Sequence, residues 1–181
     1  SFIVGPLGSG KTRLAMRLAE ELPNARFIGL DRESVVIADL ALQLRVDQAL
    51  AWLVEYGGTV SDPLIALLGE LEADGPSVLV IDLVEQGLDH ATQEALIGWL
   101  RTRRTNKRPL LLMTRSSAIL DLAAVGPEEA IIFCPANQSP PMLVAPHPGA
   151  IGYEALEMCL AAPEVRARTT GIIAMLPAAS R

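Results

Sequence analysis

At 181 residues, half of them hydrophobic but only 4% aromatic, the chain has the size of one ordinary domain with an aliphatic interior. Its formal net charge of −6 and pI near 4.9 give no general basis for nucleic-acid binding, which needs a basic surface. No apolar run approaches the ~18 residues of a membrane span, and Cys134 and Cys159 lack metal-ligand spacing, so free thiols in a reducing cytoplasm are the expectation.

Phe2-Ile3-Val4 reads as a short strand running into a glycine-rich loop. From Lys11 to Leu22, Leu14, Ala15, Leu18, Ala19 and Leu22 recur at helical spacing, and Pro23 ends the helix. Ala25 to Leu30 reads as a second strand. Apolar residues are dense with helical period from Glu33 to Tyr56, where Gly57-Gly58 breaks the pattern. Pro63 sits in the first turn of a further helix reaching Ala73. After the turn Asp74-Gly75-Pro76, Ser77 to Asp82 is a continuous apolar run, the mark of a strand buried on both faces.

Residues 90–104 predict an amphipathic helix, Leu110–Thr114 a strand, Ser116–Ala124 a helix and Ala130–Cys134 a strand. Strands alternating with helices at this rhythm imply an α/β fold: a mainly parallel central sheet flanked by helices, three layers in all. Residues 1–134 form the expected core, with 135–181 as a C-terminal extension packed on the same domain. That extension is rich in proline up to Pro148 and carries a helix over Tyr153–Leu160.

Gly5-Pro6-Leu7-Gly8-Ser9-Gly10-Lys11-Thr12 matches the phosphate-loop pattern G-x-x-x-x-G-K-[ST], with a strand before it and a helix after it. The residue types explain themselves. Gly5, Gly8 and Gly10 let backbone N–H groups turn inward, and the helix N-terminus adds partial positive charge where phosphates sit. Lys11 supplies an ammonium to the β- and γ-phosphates of ATP, and Thr12 offers a hydroxyl to Mg²⁺. Asp82, closing the buried strand, is placed to hold Mg²⁺ through its water shell; the plainer reading is an aspartate favoured by a turn.

Downstream runs Asp82-Leu83-Val84-Glu85-Gln86-Gly87-Leu88-Asp89, then a helix, then Leu110-Leu111-Leu112-Met113-Thr114-Arg115. This block resembles the ATP-binding-cassette class of P-loop ATPases, including its RecF/SMC-like soluble branch. The resemblance implies that Asp89 belongs to a dimer-facing loop and that Arg115 stands at the switch position. Gly57-Gly58 is similar to a worn signature motif that would approach a partner's nucleotide. Two positions depart from the family pattern: Leu83 replaces the catalytic glutamate and Arg115 replaces the switch histidine.

Glu85 could substitute as the carboxylate that orients water, or it could be a solvent-facing glutamate. Arg115 could place its guanidinium on the γ-phosphate, or pair with a neighbouring carboxylate. The resulting expectation is an ATP- and Mg²⁺-binding protein with weak or partner-stimulated hydrolysis. It would work as a homodimer or with an unidentified protein partner. A second reading is a switch of the AAA+ or STAND type, with Thr114-Arg115 as sensor and Tyr153–Met175 as a helical lid. A third is a small-molecule kinase, with Arg101, Arg103, Arg104, Lys107 and Arg108 as a phosphate-clamping lid; a solvated helix end explains the same cluster.

Overall fold

The computed structural model describes residues 1–32, 37–103, 108–136 and 139–160. The chain enters as β1 (Phe2–Val4), passes through the glycine loop into α1 (Lys11–Glu21), and returns as β2 (Ala25–Ile28). Two helices follow, α2 (Leu40–Glu55) and α3 (Asp62–Glu72), before β3 (Val78–Ile81). Then come α4 (His90–Thr102), β4 (Leu110–Met113), a single 3-10 turn at Leu122–Ala124, β5 (Ile131–Phe133), β6 (Met142–Leu143) and α5 (Tyr153–Cys159).

The six strands form one sheet in the order β2-β3-β4-β1-β5-β6. The first five run parallel and β6 alone is antiparallel, pairing Met142 with Phe133 and Leu143 with Ile132. Strand alternation sorts the interior into two layers. Ile3, Val80 and Met113 point to the face covered by α1, with Ala15, Leu14 and Leu18 packed there. Their neighbours Phe2, Val4, Leu79, Ile81 and Leu112 point to the opposite face, against the apolar sides of α2, α3 and α4. The expected three-layer α/β architecture is present.

Local chemistry sets the helix ends. Asp39 caps α2 by accepting from the Ala41 N–H at 2.8 Å, and Ser61 caps α3 by accepting from Leu64 N–H. At the far end of α2, Gly57 N–H bonds to Val54 C=O at 3.1 Å and Gly58 N–H to Leu53 C=O at 2.8 Å, with Gly57 at φ 92°. That pair of bonds is a Schellman ending.

Three expectations change. The helix expected to start near Glu33 begins at Leu40; residues 33–36 lie outside the described residues. Ser116–Ala124 is not a helix: the Ser116 hydroxyl accepts from Ala118 N–H and the Asp121 carboxylate from Ala123 N–H, so side chains take backbone donors that a helix would use. Strand β6 was not foreseen, being two residues long and directly after Pro140-Pro141. In the C-terminal extension, Val144 and Leu156 are buried in the main core; residues 161–181, and with them most of the expected Tyr153–Met175 lid, lie outside the described residues.

Candidate functional site

The site forms where β1 and β3 end, at one edge of the parallel sheet. Between Val4 and Lys11 the loop turns on glycines that need to be glycine for different reasons. A Cβ on Gly5 would lie 2.3 Å from the Cys134 carbonyl oxygen, because Cys134 N–H bonds to Val4 C=O and brings the two strands' exits together. Gly8 and Gly10 face open space but hold φ of 78° and 82°, a left-handed backbone that L-side chains rarely adopt. Gly10 is the N-cap of α1, so the first N–H groups of that helix stay free of any side-chain cap.

Lys11 folds back over the loop. Its Nζ donates to Pro6 C=O at 2.6 Å and to Ser9 Oγ at 3.3 Å, and the residue is 9% exposed. Burial pushes its ammonium below the usual lysine range, and the nearby Arg115 guanidinium pushes it the same way. Leu7, at the loop's tip, is 87% exposed.

Thr12 and Asp82, seventy residues apart, meet: Thr12 Oγ1 donates to Asp82 Oδ2 at 3.2 Å. Asp82 is buried, and its N–H is fixed on Ile28 C=O at 2.9 Å by the continuation of the β2–β3 ladder. One hydroxyl and one carboxylate beside a phosphate cradle form a donor set that suits Mg²⁺, a hard cation that keeps several waters and takes phosphate oxygens as its other ligands. Among the described residues no cluster of three His, Cys, Asp or Glu offers an alternative metal site.

Past Asp82 the chain turns sharply. Leu83 sits at φ 39°, one of two non-glycine residues with positive φ among the described residues. Glu85 is buried, and its Oε1 accepts the backbone N–H of Arg115 at 2.9 Å. Arg115 itself is half-buried, with its Nε making no hydrogen bond to the described residues. Its charge reaches Lys11, so a second cation stands near the phosphate loop. Such a pair favours an anion between them.

The residues matched by a family model fall on this machinery. The model of the ATPase family associated with various cellular activities (AAA) matches residues 1–135, from the first strand through β5. The chain belongs to the AAA family. No curated protein is significantly similar to it in sequence. Among solved structures, a chain of an ABC transporter described as of metal-chelate type, in an inward-facing conformation, superposes with TM-score 0.56 at 14% identity, covering 87% of this chain and 76% of that one. A bacterial Atm1-family ABC exporter with ATP bound gives TM-score 0.51 at 15% identity, covering 74% of this chain and 31% of that chain. These likenesses are of fold: a P-loop ATPase sheet with its flanking helices.

In this AAA-family domain the structure brings the candidate residues Lys11, Thr12, Asp82, Glu85 and Arg115 to one end of the sheet, together with a cation the sequence reading does not name. Arg32, just past β2, donates to the carbonyls of Asp82 and Leu83 (2.8 Å to the latter), reaches Val84 C=O at 3.5 Å, and sends its Nε to Gly29 C=O at 3.3 Å. It therefore gathers the carbonyls that converge where Leu83 bends the chain. Burial holds its guanidinium below the usual arginine range, with Glu85 and Asp82 pulling the other way. Nothing in its sequence surroundings marks it, because three of its four carbonyl partners lie some fifty residues away.

Two readings of the sequence are corrected by position. Gly57-Gly58 closes α2, so the chain presents there a helix's carbonyl end, which repels rather than receives a partner's phosphate. The arginine cluster sits at the opposite edge of the sheet from the phosphate loop. Arg101 pairs with Glu129 at 3.1 Å, Arg103 pairs with Glu72 and lies 4.0 Å over the Trp99 ring, and Arg108 bonds to Glu70, Leu71 and Pro76 carbonyls. These partners precede β3 and β5 or end α3, so the described arginines line a cavity of about 940 Å³ there and cannot lid the nucleotide. Arg104 and Lys107 lie outside the described residues. Asp89 caps α4, accepting from Thr92 N–H at 2.7 Å.

Proposed function

We propose that this domain binds ATP with Mg²⁺ and uses it as a conformational switch, hydrolysing it slowly unless a protein partner assists. The observation that carries the reading is the contact of Thr12 Oγ1 with Asp82 Oδ2 beside a buried Lys11, at the mouth of a loop shaped by Gly5, Gly8 and Gly10. The loop amides from Leu7 to Gly10 and the first turn of α1 would receive the phosphates. Lys11 would exchange its loop acceptors for phosphate oxygens, and Thr12 and Asp82 would hold the Mg²⁺ shell. Mg²⁺, when bound, neutralises charge on the phosphates and bridges them to the protein.

Slow turnover follows from Leu83. The residue directly after Asp82 has no carboxylate to orient water, and the next acid, Glu85, has an oxygen committed to the Arg115 N–H. Glu85 is nonetheless the carboxylate through which hydrolysis would run, once nucleotide draws Arg115 towards the γ-phosphate. Arg115, at the end of β4, acts as the sensor: it distinguishes a triphosphate from a diphosphate by a contact made only with the former. This favours the AAA-type switch over the cassette-type dimer, whose signature would need Gly57-Gly58 at a helix start. The domain is expected to act in the cytoplasm, as a homodimer or with another protein.

The test is calorimetric binding of ATP–Mg²⁺ together with steady-state hydrolysis, on the native chain, Lys11→Ala and Glu85→Gln. Binding that is lost in Lys11→Ala with an unchanged circular dichroism spectrum supports the site. Unaltered affinity in Lys11→Ala removes it. Turnover that vanishes in Glu85→Gln while binding persists makes Glu85 the hydrolytic carboxylate; equal turnover in both excludes that role.

A further inference from the structure

Seven polar side chains are buried among the described residues: Lys11, Asp82, Glu85, Thr92, Gln93, Thr114 and Ser116. Three of them belong to the phosphate site. In an interior otherwise aliphatic, the remaining four need a reason, since a buried polar group costs free energy unless it is bonded.

Gln93 and Ser116 supply one. Gln93, in the first turn of α4, is 1% exposed, and its Nε2 donates to Leu88 C=O at 2.7 Å. Its Oε1 accepts from the Ser116 hydroxyl at 2.5 Å. Ser116 is fully buried; its N–H bonds to Thr114 Oγ1 at 3.0 Å, and its Oγ accepts from Ala118 N–H at 3.2 Å. Leu88 N–H returns to Glu85 C=O at 3.1 Å, and Glu85 Oε1 holds Arg115 N–H at 2.9 Å. The bonds close a circuit: Glu85, Leu88, Gln93, Ser116, and back through Arg115 to Glu85. On one side it fixes the turn that follows Asp82, and on the other the backbone that carries Arg115.

We propose that Gln93 and Ser116 are positioning residues that set Arg115 against the phosphate loop, by tying the end of β4 to the turn after Asp82. The inference rests on the nucleotide-binding reading above. Gln93 is suited to the task because one amide offers a donor to Leu88 and an acceptor to Ser116 in a fixed plane. An apolar residue of like size would fill the space and hold neither. The network holds the backbone at Arg115, and with it the point from which the guanidinium extends towards the phosphate loop.

The experiment is a double-mutant cycle on the ATP–Mg²⁺ dissociation constant, using native chain, Gln93→Leu, Arg115→Ala and the double variant, each checked for folding by circular dichroism. If Gln93 acts through Arg115, Gln93→Leu weakens affinity roughly tenfold in the native background and hardly at all once Arg115 is alanine. An equal loss in both backgrounds, or no loss in either, overturns the proposal, because a merely structural role does not depend on Arg115. Should Gln93→Leu fail to fold, Ser116→Ala, which removes one hydroxyl, replaces it in the same cycle with the same two outcomes. A native chain that does not bind ATP–Mg²⁺ overturns the nucleotide reading and this inference together. Native binding with additive variants overturns only the role of Gln93 and Ser116.

Discussion

Gly5 shows how a motif's letters acquire their reasons only in three dimensions. The pattern requires glycine there, and the structure gives the cause: a side-chain carbon would meet the Cys134 carbonyl oxygen at 2.3 Å, a backbone atom that cannot swing aside. Gly5→Ala is therefore expected to push β1 from β5, lowering the melting temperature and weakening ATP binding together; an unchanged melting curve would contradict it. Gly8→Ala should behave differently. It has room, and its cost is the left-handed backbone, about 1–2 kcal/mol, with no clash. Comparing the two by urea denaturation separates crowding from conformation. Lys11, Thr12 and Asp82 were legible from the sequence because motif and strand end are local signals. Arg32 was not, and neither was the Gln93–Ser116 contact, since each depends on which strands the fold sets side by side.

Among the elements, α4 carries a prediction with a pH signature. Hydrogen bonding to Thr92 holds the Asp89 carboxyl below the usual range. A depressed carboxyl contributes stability that is complete above the unfolded value near 4, and loses it as pH falls through the lower folded value. Asp89→Ala should therefore cost about 1 kcal/mol at neutral pH, and the gap between variant and native chain should shrink in acid; a gap unchanged at pH 2–3 would remove Asp89's capping charge from the account. The helical period read α1 and α3 correctly to within a residue or two, because their apolar stripes face one packed layer. It failed over Ser116–Ala124, where Ile119 and Leu120 are buried as a helix would bury them, but Ser116 and Asp121 spend backbone donors on tight turns. Periodicity reports burial; it does not report which acceptor an N–H finds.

For the molecule as a whole, the alternation of strands and helices implied a parallel sheet, yet not the strand order. That β4 lies between β1 and β3 follows from crossovers that no residue pattern specifies. The order matters, because it puts the Thr114-Arg115 end of β4 between the phosphate loop and Asp82. The core on the α2–α3–α4 face is the main source of stability, and Leu67, fully buried within it, is the place to test that: Leu67→Ala should cost about 2–5 kcal/mol. Saturating ATP–Mg²⁺, at a thousandfold over Kd, should return about 4 kcal/mol to either chain, seen as equal upward shifts in unfolding free energy. A last consequence follows from Thr59. Its N–H, in the connector just past α2, is bonded at 2.8 Å to the hydroxyl of Thr92 in the first turn of α4. A connector amide would ordinarily trade its proton with water almost as fast as in a free peptide; this one must wait until Thr92 lets go. Deuterium uptake at Thr59 is thus a clock for how often the start of α4 loosens, and comparing it with and without nucleotide would time the switch from a position that touches no ligand.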